Sequence, residues 1–196
     1  MDGVGNIKEY QIAGLLRVAN EQLAYCNLIT EYPGLSSKKN FDPLSAVDQF
    51  YKSVCNVFFH DSLLIISSLL DSKDSRVIGL WNWKDFTSYK SSELKLITDS
   101  FNNGPLKTIR DQLIAHQDVS NPNNQFPDSR RTGIIKENLI MLAQSTLDSI
   151  INEFCDYAQK FSTPYSEQYF DTEEAKNQLT SVMRLAVPTL TNNDVI

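Results

Sequence analysis

The side chains best suited to chemistry lie in one short stretch, residues 106–118 (LKTIRDQLIAHQD). It holds Arg110 and Asp111 and, six positions after the arginine, His116, one of the two histidines in the chain. On a helix, Arg110 and His116 flank Leu113 at about 60° on either side and stand about 9 Å apart along the axis. A phosphate could therefore sit between the guanidinium and the imidazole, while Asp111 points away from the buried stripe.

An imidazole and a guanidinium at this spacing suit the cleavage of an RNA phosphodiester. Imidazole titrates near neutral pH, so it can take the proton from a 2′-hydroxyl or return one to the leaving group. Guanidinium offers fixed, bidentate positive charge to the oxygens of a pentacovalent transition state. Such a reaction requires neither a metal ion nor a cofactor, and we expect none.

A structural interpretation competes with this chemistry. An arginine and a histidine at the border of an apolar face usually serve packing, with the arginine paired to a carboxylate. Asp61 is the best partner, because it falls within about 20° of the centre of an apolar stripe through Phe50. A carboxylate there must be paired or neutralised. Since the spacing R-x5-H arises often by chance, spacing alone favours the structural interpretation.

Other side chains are weaker candidates for a binding site. His60 could line a cleft with His116, although a hydrogen-bonded structural histidine is commoner. An arginine pair could grip phosphate and two tryptophans could stack on a base, although a solvated surface pair and core packing are the usual roles. These four residues are Arg130, Arg131, Trp81 and Trp83.

Length and composition favour a single helical domain over residues 1–196. A hydrophobic content of 41% and a charged content of 21% are ordinary for a globular protein. Seven glycines and seven prolines are too few for the many tight turns of a β-sandwich or barrel. The net charge of −6 speaks against a protein that coats nucleic acid, and a DNA partner is not expected.

Cysteine usage and hydropathy indicate the cytoplasm. The three cysteines are far apart and form no CxxC pair, which predicts free thiols, Cys55 in the core, and no zinc site. The N-terminus, MDGVGNIKEY, lacks the basic and apolar regions of a signal peptide. The most apolar run, VFFHDSLLIISSLL, is interrupted by two polar residues and is too short to span a bilayer, so no membrane association is expected.

Apolar spacing predicts an all-α, up-and-down helical bundle. The predicted helices cover residues 6–30, Asp42-Pro43 to about Leu70, 92–102, 105–118, 133–161 and 171–187. The second is apolar on nearly all sides and is expected in the middle of the bundle. For residues 72–92 the sequence predicts a 3₁₀ or irregular connection, or a strand. It predicts an exposed loop at residues 118–133 and a frayed end over the last eight residues.

The run from Arg110 to His116 resembles the signature of the HEPN superfamily. In that family an arginine and a polar residue are followed, a few positions later, by a histidine inside an all-helical domain. Residues 58–71 (FFHDSLLIISSLLD) and the ending AHQD resemble the HEPN branch related to the abortive-infection U system. The resemblance covers about residues 45–160 and leaves the N- and C-terminal helices outside the HEPN-like core.

The resemblance implies a metal-independent endoribonuclease of a toxin–antitoxin or phage-defence system. It implies a homodimer that brings two motifs into one cleft, RNA as the substrate, and an antitoxin protein as a further partner. Arg110 would stabilise the phosphorane, His116 would be the acid or base, and Asp111 would orient one of them or assist the reaction.

Two alternatives stay open. One is a catalytically silent HEPN-like module that binds a nucleotide, an RNA or a protein. The other is a structural interaction protein in which an Arg110–Asp61 pair fixes helix register. If the protein is a nuclease, the Arg110 and His116 side chains should be accessible. If it is the silent module, an open cleft should be present without RNA cleavage. If it is the structural protein, the guanidinium should be sealed against Asp61.

Overall fold

A computed structural model describes residues 3–31, 46–71, 78–117 and 137–186, with side chains described in 7–31, 49–71, 78–111 and 137–183. The described residues are largely helical and contain no strand, which confirms the all-α prediction. Three predicted features lie outside them: the helix start at Asp42-Pro43, the exposed loop at 118–133 and the frayed last eight residues.

Six helices are present in the described parts of the chain. They are α1 (Gly3–Glu31), α2 (Ala46–Leu70), α3 (Lys84–Asn103), α4 (Pro105–Gln117), α5 (Glu137–Lys160) and α6 (Glu173–Ala186). Short 3₁₀ turns at Leu80–Asn82 and Glu167–Phe170 precede α3 and α6. Buried apolar side chains from all six helices form one continuous core.

α1 and α2 pack side by side in antiparallel directions. The Ser62 hydroxyl donates to the main-chain oxygen of Ala19 at 3.3 Å, and the Cys26 thiol donates to that of Cys55 at 3.3 Å. α5 packs against both helices and also against α3. α4 packs against α2, α3 and α5, so the helix that carries the motif lies at the junction of three others.

α2 buries one apolar side and exposes part of the other, on which Val54 and Ile65 still pack against the core. Its core side consists of Tyr51, Cys55, Phe59, Leu63 and Ile66, all buried, so the expectation for Cys55 is confirmed. Phe50 and Val57, in contrast, are 62% and 63% exposed. The prediction that α2 is buried on both sides is therefore wrong, because α1, α4 and α5 pack around its other sides. We call Phe50, Val54, Val57, Leu64 and Ile65 the α2 outer face.

Within α2, residues Gln49–Leu70 are long and apolar enough to cross a membrane by length and composition, with a mean hydropathy of 1.5 over an 18-residue window. The run VFFHDSLLIISSLL, predicted to be too short to span a bilayer, is the C-terminal part of this longer helix. In the structure, 39% of that window is buried inside the bundle, and Ser62 donates to the main chain of α1. These are contacts of a helix that packs within a bundle. A cytoplasmic location stays a prediction.

α3 begins at Lys84, well before the predicted start at residue 92. The buried side chains of Phe86, Lys90 and Leu94 follow one another at a spacing of four residues, so the core-facing stripe extends back almost to the first turn. Lys90 holds α3 to α5 through ion pairs with Glu153, at 2.8 Å, and Asp156. Burial alone would lower the pKa of the Lys90 ammonium, but its hydrogen bonds to these carboxylates outweigh burial and raise the pKa.

The two tryptophans ahead of α3 are packing residues. Trp83 is 3% exposed and its ring stacks on Phe86 with centroids 5.4 Å apart. Trp81 is partly buried, and its indole N–H donates to the Thr98 hydroxyl at 3.0 Å. The 3₁₀ alternative is confirmed for Leu80–Asn82, whereas residues 84–92 of the predicted connection belong to α3. Base stacking by the two tryptophan rings is not supported.

Candidate functional site

α4 begins at Pro105, as predicted, directly after Gly104. A Cβ atom at Gly104 would lie 3.0 Å from the Ser100 main-chain oxygen, so the tight passage from α3 to α4 favours glycine. Leu106 is 2% exposed and anchors the start of α4 in the core. Arg110, one turn further on, has a side chain that is 21% exposed. It lies at the border of the packing face, where the helical wheel places it.

Arg110 lines a cleft of about 350 Å³ between the end of α2, the end of α3 and the start of α4. Polar groups dominate its wall. The lining residues are Ser67, Leu70 and Asp71 from α2 and its end, Phe101 and Asn102 from α3, and Lys107, Arg110 and Asp111 from α4. A partly exposed cleft with two cations, two carboxylates and several hydrogen-bonding side chains suits a small polar ligand.

The Arg110 Nε lies close to a carboxylate but forms no hydrogen bond with it. Its Nε lies 3.1 Å from Asp111 Oδ1, within ion-pair distance. The same Nε is buried and forms no hydrogen bond, because its N–H is not directed at that carboxylate. A buried N–H without an acceptor costs free energy. This N–H can therefore donate a hydrogen bond to an acceptor that a ligand supplies.

Asp111 contacts two cations on its own helix. Asp111 Oδ2 accepts a hydrogen bond from Lys107 Nζ at 2.5 Å, one turn before it, while Oδ1 faces Arg110. The hydrogen bond from Lys107 lowers the pKa of the Asp111 carboxyl, with a smaller contribution from the charge of Arg110. Asp111 is therefore ionised at neutral pH. Its side chain is 45% exposed, in agreement with the prediction that it points away from the buried stripe.

Asp61 is not the partner of Arg110, and this prediction is wrong. Asp61 is exposed and accepts a hydrogen bond from Gln22 Nε2 of α1 at 2.6 Å. The error follows from the orientation of α2: the stripe around Phe50 faces outward, so the carboxylate is solvated and needs no buried cation. The structural interpretation required a guanidinium that is sealed against Asp61, and the structure does not contain this pair.

The remaining predicted site residues are not brought together by the described part of the structure. The main chain of His116 belongs to α4, but its side chain lies outside the described residues, as do Arg130 and Arg131. His60 is half-buried on α2, with its ring centroid 6.0 Å from that of Phe59. Arg110 and Asp111 are thus the two predicted residues that the structure places at one cleft.

Sequence reasoning missed Lys107 and Ser67. Lys107 precedes Arg110 by three positions and Asp111 by four, spacings that place all three side chains on neighbouring parts of one helix surface. That signal was readable from K-x-x-R-D. Ser67 of α2 is 8% exposed and borders the cleft. It lies near the motif only because α2 packs against α4.

A second cleft, of about 320 Å³, lies between α1, α5 and the start of α6. Its wall includes the carboxamides of Asn20, Asn27 and Gln144, and the first and last of these are hydrogen-bonded to each other at 2.8 Å. None of the predicted site residues lines it.

The cysteines do not form a nucleophilic site. All three are free thiols, as predicted; Cys26 and Cys55 are buried and Cys155 is partly buried. Burial raises the pKa of Cys155 to about 11, so this thiol is protonated at neutral pH. In the described parts of the chain, no three His, Cys, Asp or Glu side chains are grouped as metal ligands would be.

Comparison of the chain with protein-family models, curated proteins and solved structures gave no significant match. The HEPN resemblance therefore stays a prediction that depends on the residues quoted above.

Proposed function

We propose that the chain is a HEPN-type, metal-independent endoribonuclease of a toxin–antitoxin or phage-defence system. The observation that carries this proposal is the position of Arg110, half-buried at a polar cleft, next to a second cation and with an Nε–H that lacks an acceptor. A phosphate oxygen is the kind of group that such a guanidinium binds.

The proposed reaction is an in-line transfer within RNA. An imidazole takes the proton of the 2′-hydroxyl, and the 2′-oxygen forms a bond to phosphorus while the bond to the 5′-oxygen breaks. The leaving 5′-oxygen takes a proton from an imidazolium. The products are a 2′,3′-cyclic phosphate and a 5′-hydroxyl. His116 is the proposed acid or base, and Arg110 stabilises the charge on the phosphorane. Asp111 lies 3.1 Å from the guanidinium when no substrate is bound.

This mechanism is tested by incubating the protein with RNA in the presence of a chelator. We expect cleavage with a cyclic phosphate end, and no cleavage of DNA or of an oligonucleotide with a single 2′-deoxy residue at the cut site. Cleavage of the deoxy-substituted position, or cleavage that disappears with chelator, would rule out this chemistry.

The homodimer is part of the proposal, and the α2 outer face supports it. Phe50 and Val57 are mostly exposed, two turns apart on one helix, and Val54 and Leu64 lie half-buried beside them. Val18 of α1, 44% exposed, adds to the exposed apolar surface of the protein. A stable dimer buries about 800 Å² on each partner, so the proposed interface extends from the α2 outer face onto the surface beside it.

We expect Val57→Glu to convert the dimer into a monomer, because a second copy would have to bury the new charge. The measurement is molar mass by light scattering after gel filtration. The control is Leu96→Glu, which places the same charge on α3 at a side chain that is 72% exposed and outside the α2 outer face. A wild-type monomer, or a Val57→Glu dimer, contradicts the proposed partner.

A second candidate is the silent HEPN-like module that binds a nucleotide. The volume of the Arg110 cleft favours it, since about 350 Å³ is near the lower end of small-ligand sites and fits a mononucleotide better than a strand. Nucleotide binding that requires Arg110, together with intact RNA after long incubation, would favour this candidate over the nuclease.

A further inference from the structure

Four charged side chains line the Arg110 cleft: the cations Lys107 and Arg110 and the carboxylate Asp111 on α4, and the carboxylate Asp71 at the end of α2. Asp111 contacts Lys107 with one carboxylate oxygen, at 2.5 Å, and faces Arg110 with the other, at 3.1 Å. Lys107, Arg110 and Asp111 all line the same cleft. A carboxylate that lies between an ammonium and a guanidinium has the place and the charge of a bound anion.

We propose that Lys107 and Arg110 form a two-cation phosphate subsite, and that Asp111 is its internal competitor, which a ligand phosphate displaces. The inference deepens the proposed function, because it assigns a second phosphate-binding residue to the same site. It requires only that the ligand carries a phosphate, and it therefore holds for an RNA strand that is bound without being cleaved.

The exposure of the three side chains allows this exchange. The Lys107 and Asp111 side chains are 38% and 45% exposed, so their ion pair faces solvent and is weak. Arg110 is the most buried of the three, at 21%, and stays in the wall of the cleft. Asp111 can thus turn into solvent while both cations remain directed at a ligand.

Two further groups indicate where a phosphate would be held. The buried Arg110 Nε–H lacks a hydrogen-bond acceptor, which a phosphate oxygen would supply. The Ser67 hydroxyl, on the α2 wall of the cleft, forms no hydrogen bond with any residue that the structure describes. The subsite therefore combines a guanidinium, an ammonium and a hydroxyl donor.

The charge balance predicts opposite effects for two substitutions. Lys107→Ala removes a cation. Asp111→Asn removes the competing negative charge and leaves a side chain of nearly the same size. One unit charge at a half-exposed site changes the affinity for an anion by about tenfold. We expect Asp111→Asn to tighten binding by that factor and Lys107→Ala to weaken it by that factor.

The probe is a 2′-O-methyl oligonucleotide, whose blocked 2′-oxygen prevents cleavage, and binding is measured by fluorescence anisotropy. Lys107→Ala should also reduce the slope of log affinity against log salt concentration by about 0.7, the value for one phosphate contact on a single strand. Inorganic phosphate serves as a second probe and should shift the amide signals of α4 in an NMR titration.

Matched controls come from the ion pair of α6, in which Lys176 Nζ lies 2.9 Å from Glu173 Oε1. Glu173→Gln changes the net charge as Asp111→Asn does, and Lys176→Ala changes it as Lys107→Ala does. Neither control residue lines the Arg110 cleft. We expect both to bind the oligonucleotide as the wild type does, within twofold. Asp111→Ser is a second variant if Asp111→Asn melts below the assay temperature.

The outcomes separate this inference from the nuclease proposal. Tighter binding by Asp111→Asn and weaker binding by Lys107→Ala support the subsite, whether or not any variant cleaves RNA. Unchanged binding in both variants, or the same change in the α6 controls, overturns it. RNA cleavage by the wild type with unchanged binding in these variants would retain the nuclease and reject the subsite.

Discussion

Replacing Arg110 with alanine is expected to slow RNA cleavage by about 10²–10³-fold, the usual effect of removing one donor that stabilises transition-state charge. The side chain lines the cleft and has an Nε–H without an acceptor, so a phosphorane oxygen gains both charge and a hydrogen bond there. Initial rates on a fluorescent RNA, in chelator, give the effect. Circular dichroism checks that the bundle is intact.

Two further variants make this prediction specific. Arg17→Ala removes another arginine whose Nε lies close to a carboxylate, 2.9 Å from Glu21 Oε1, and Arg17 does not line the cleft. It should cleave at the wild-type rate. Arg110→Lys keeps the charge but loses the planar fork, and we expect a rate between those of the wild type and Arg110→Ala. Equal rates for Arg110→Ala and Arg17→Ala would remove Arg110 from the mechanism.

Replacing His116 with alanine is expected to slow cleavage by about 10²–10⁴-fold, as the loss of a general acid or base does. The rate of the wild type should change with pH near neutrality, where an imidazole titrates, and His116→Ala should lose this inflection. Rates from pH 5 to 9 provide the test.

The chain offers one other histidine for comparison. His60→Gln should lower the rate less than tenfold and keep the inflection, because this residue is at most a substrate contact in the proposed site. If His60→Gln loses the inflection and His116→Ala keeps it, the acid–base role belongs to α2 rather than α4.

Helix positions were largely readable from the sequence, because apolar spacing and proline directly encode them. Pro105 starts α4 as predicted, and α1 matches its predicted range within a few residues. The start of α3 was missed, because tryptophans alternate with polar residues at Trp81 and Trp83, which obscures the helical spacing of buried side chains that begins at Phe86. A local pattern does not reveal whether the side chains at strand spacing or those at helical spacing will be buried in the tertiary structure.

The orientation of α2 was not readable from the sequence. Both of its sides are apolar, so composition predicts burial of both, yet Phe50 and Val57 are mostly exposed. Which side faces the core depends on where α1, α4 and α5 pack. The error at Asp61 has the same origin, since its predicted burial followed from the stripe through Phe50.

The candidate site was found in part. Residue type singled out Arg110 and Asp111, and helical spacing alone would have added Lys107. Ser67 and Asn102 come from other helices and reach the cleft only through the packing of α2 and α3 against α4. Contacts between helices distant in sequence have no local signature, so no pattern in one sequence could supply them.

In the proposed complex, a backbone phosphate of bound RNA lies against the Arg110 guanidinium. The most direct measurement is the ¹H–¹⁵N NMR signal of the Arg110 Nε–H, identified by its loss in Arg110→Lys and recorded with and without the 2′-O-methyl oligonucleotide. We predict that this signal shifts on binding, while the Arg17 Nε–H, bonded to Glu21, stays in place. An Arg110 signal that is unchanged at saturating oligonucleotide would contradict the claim.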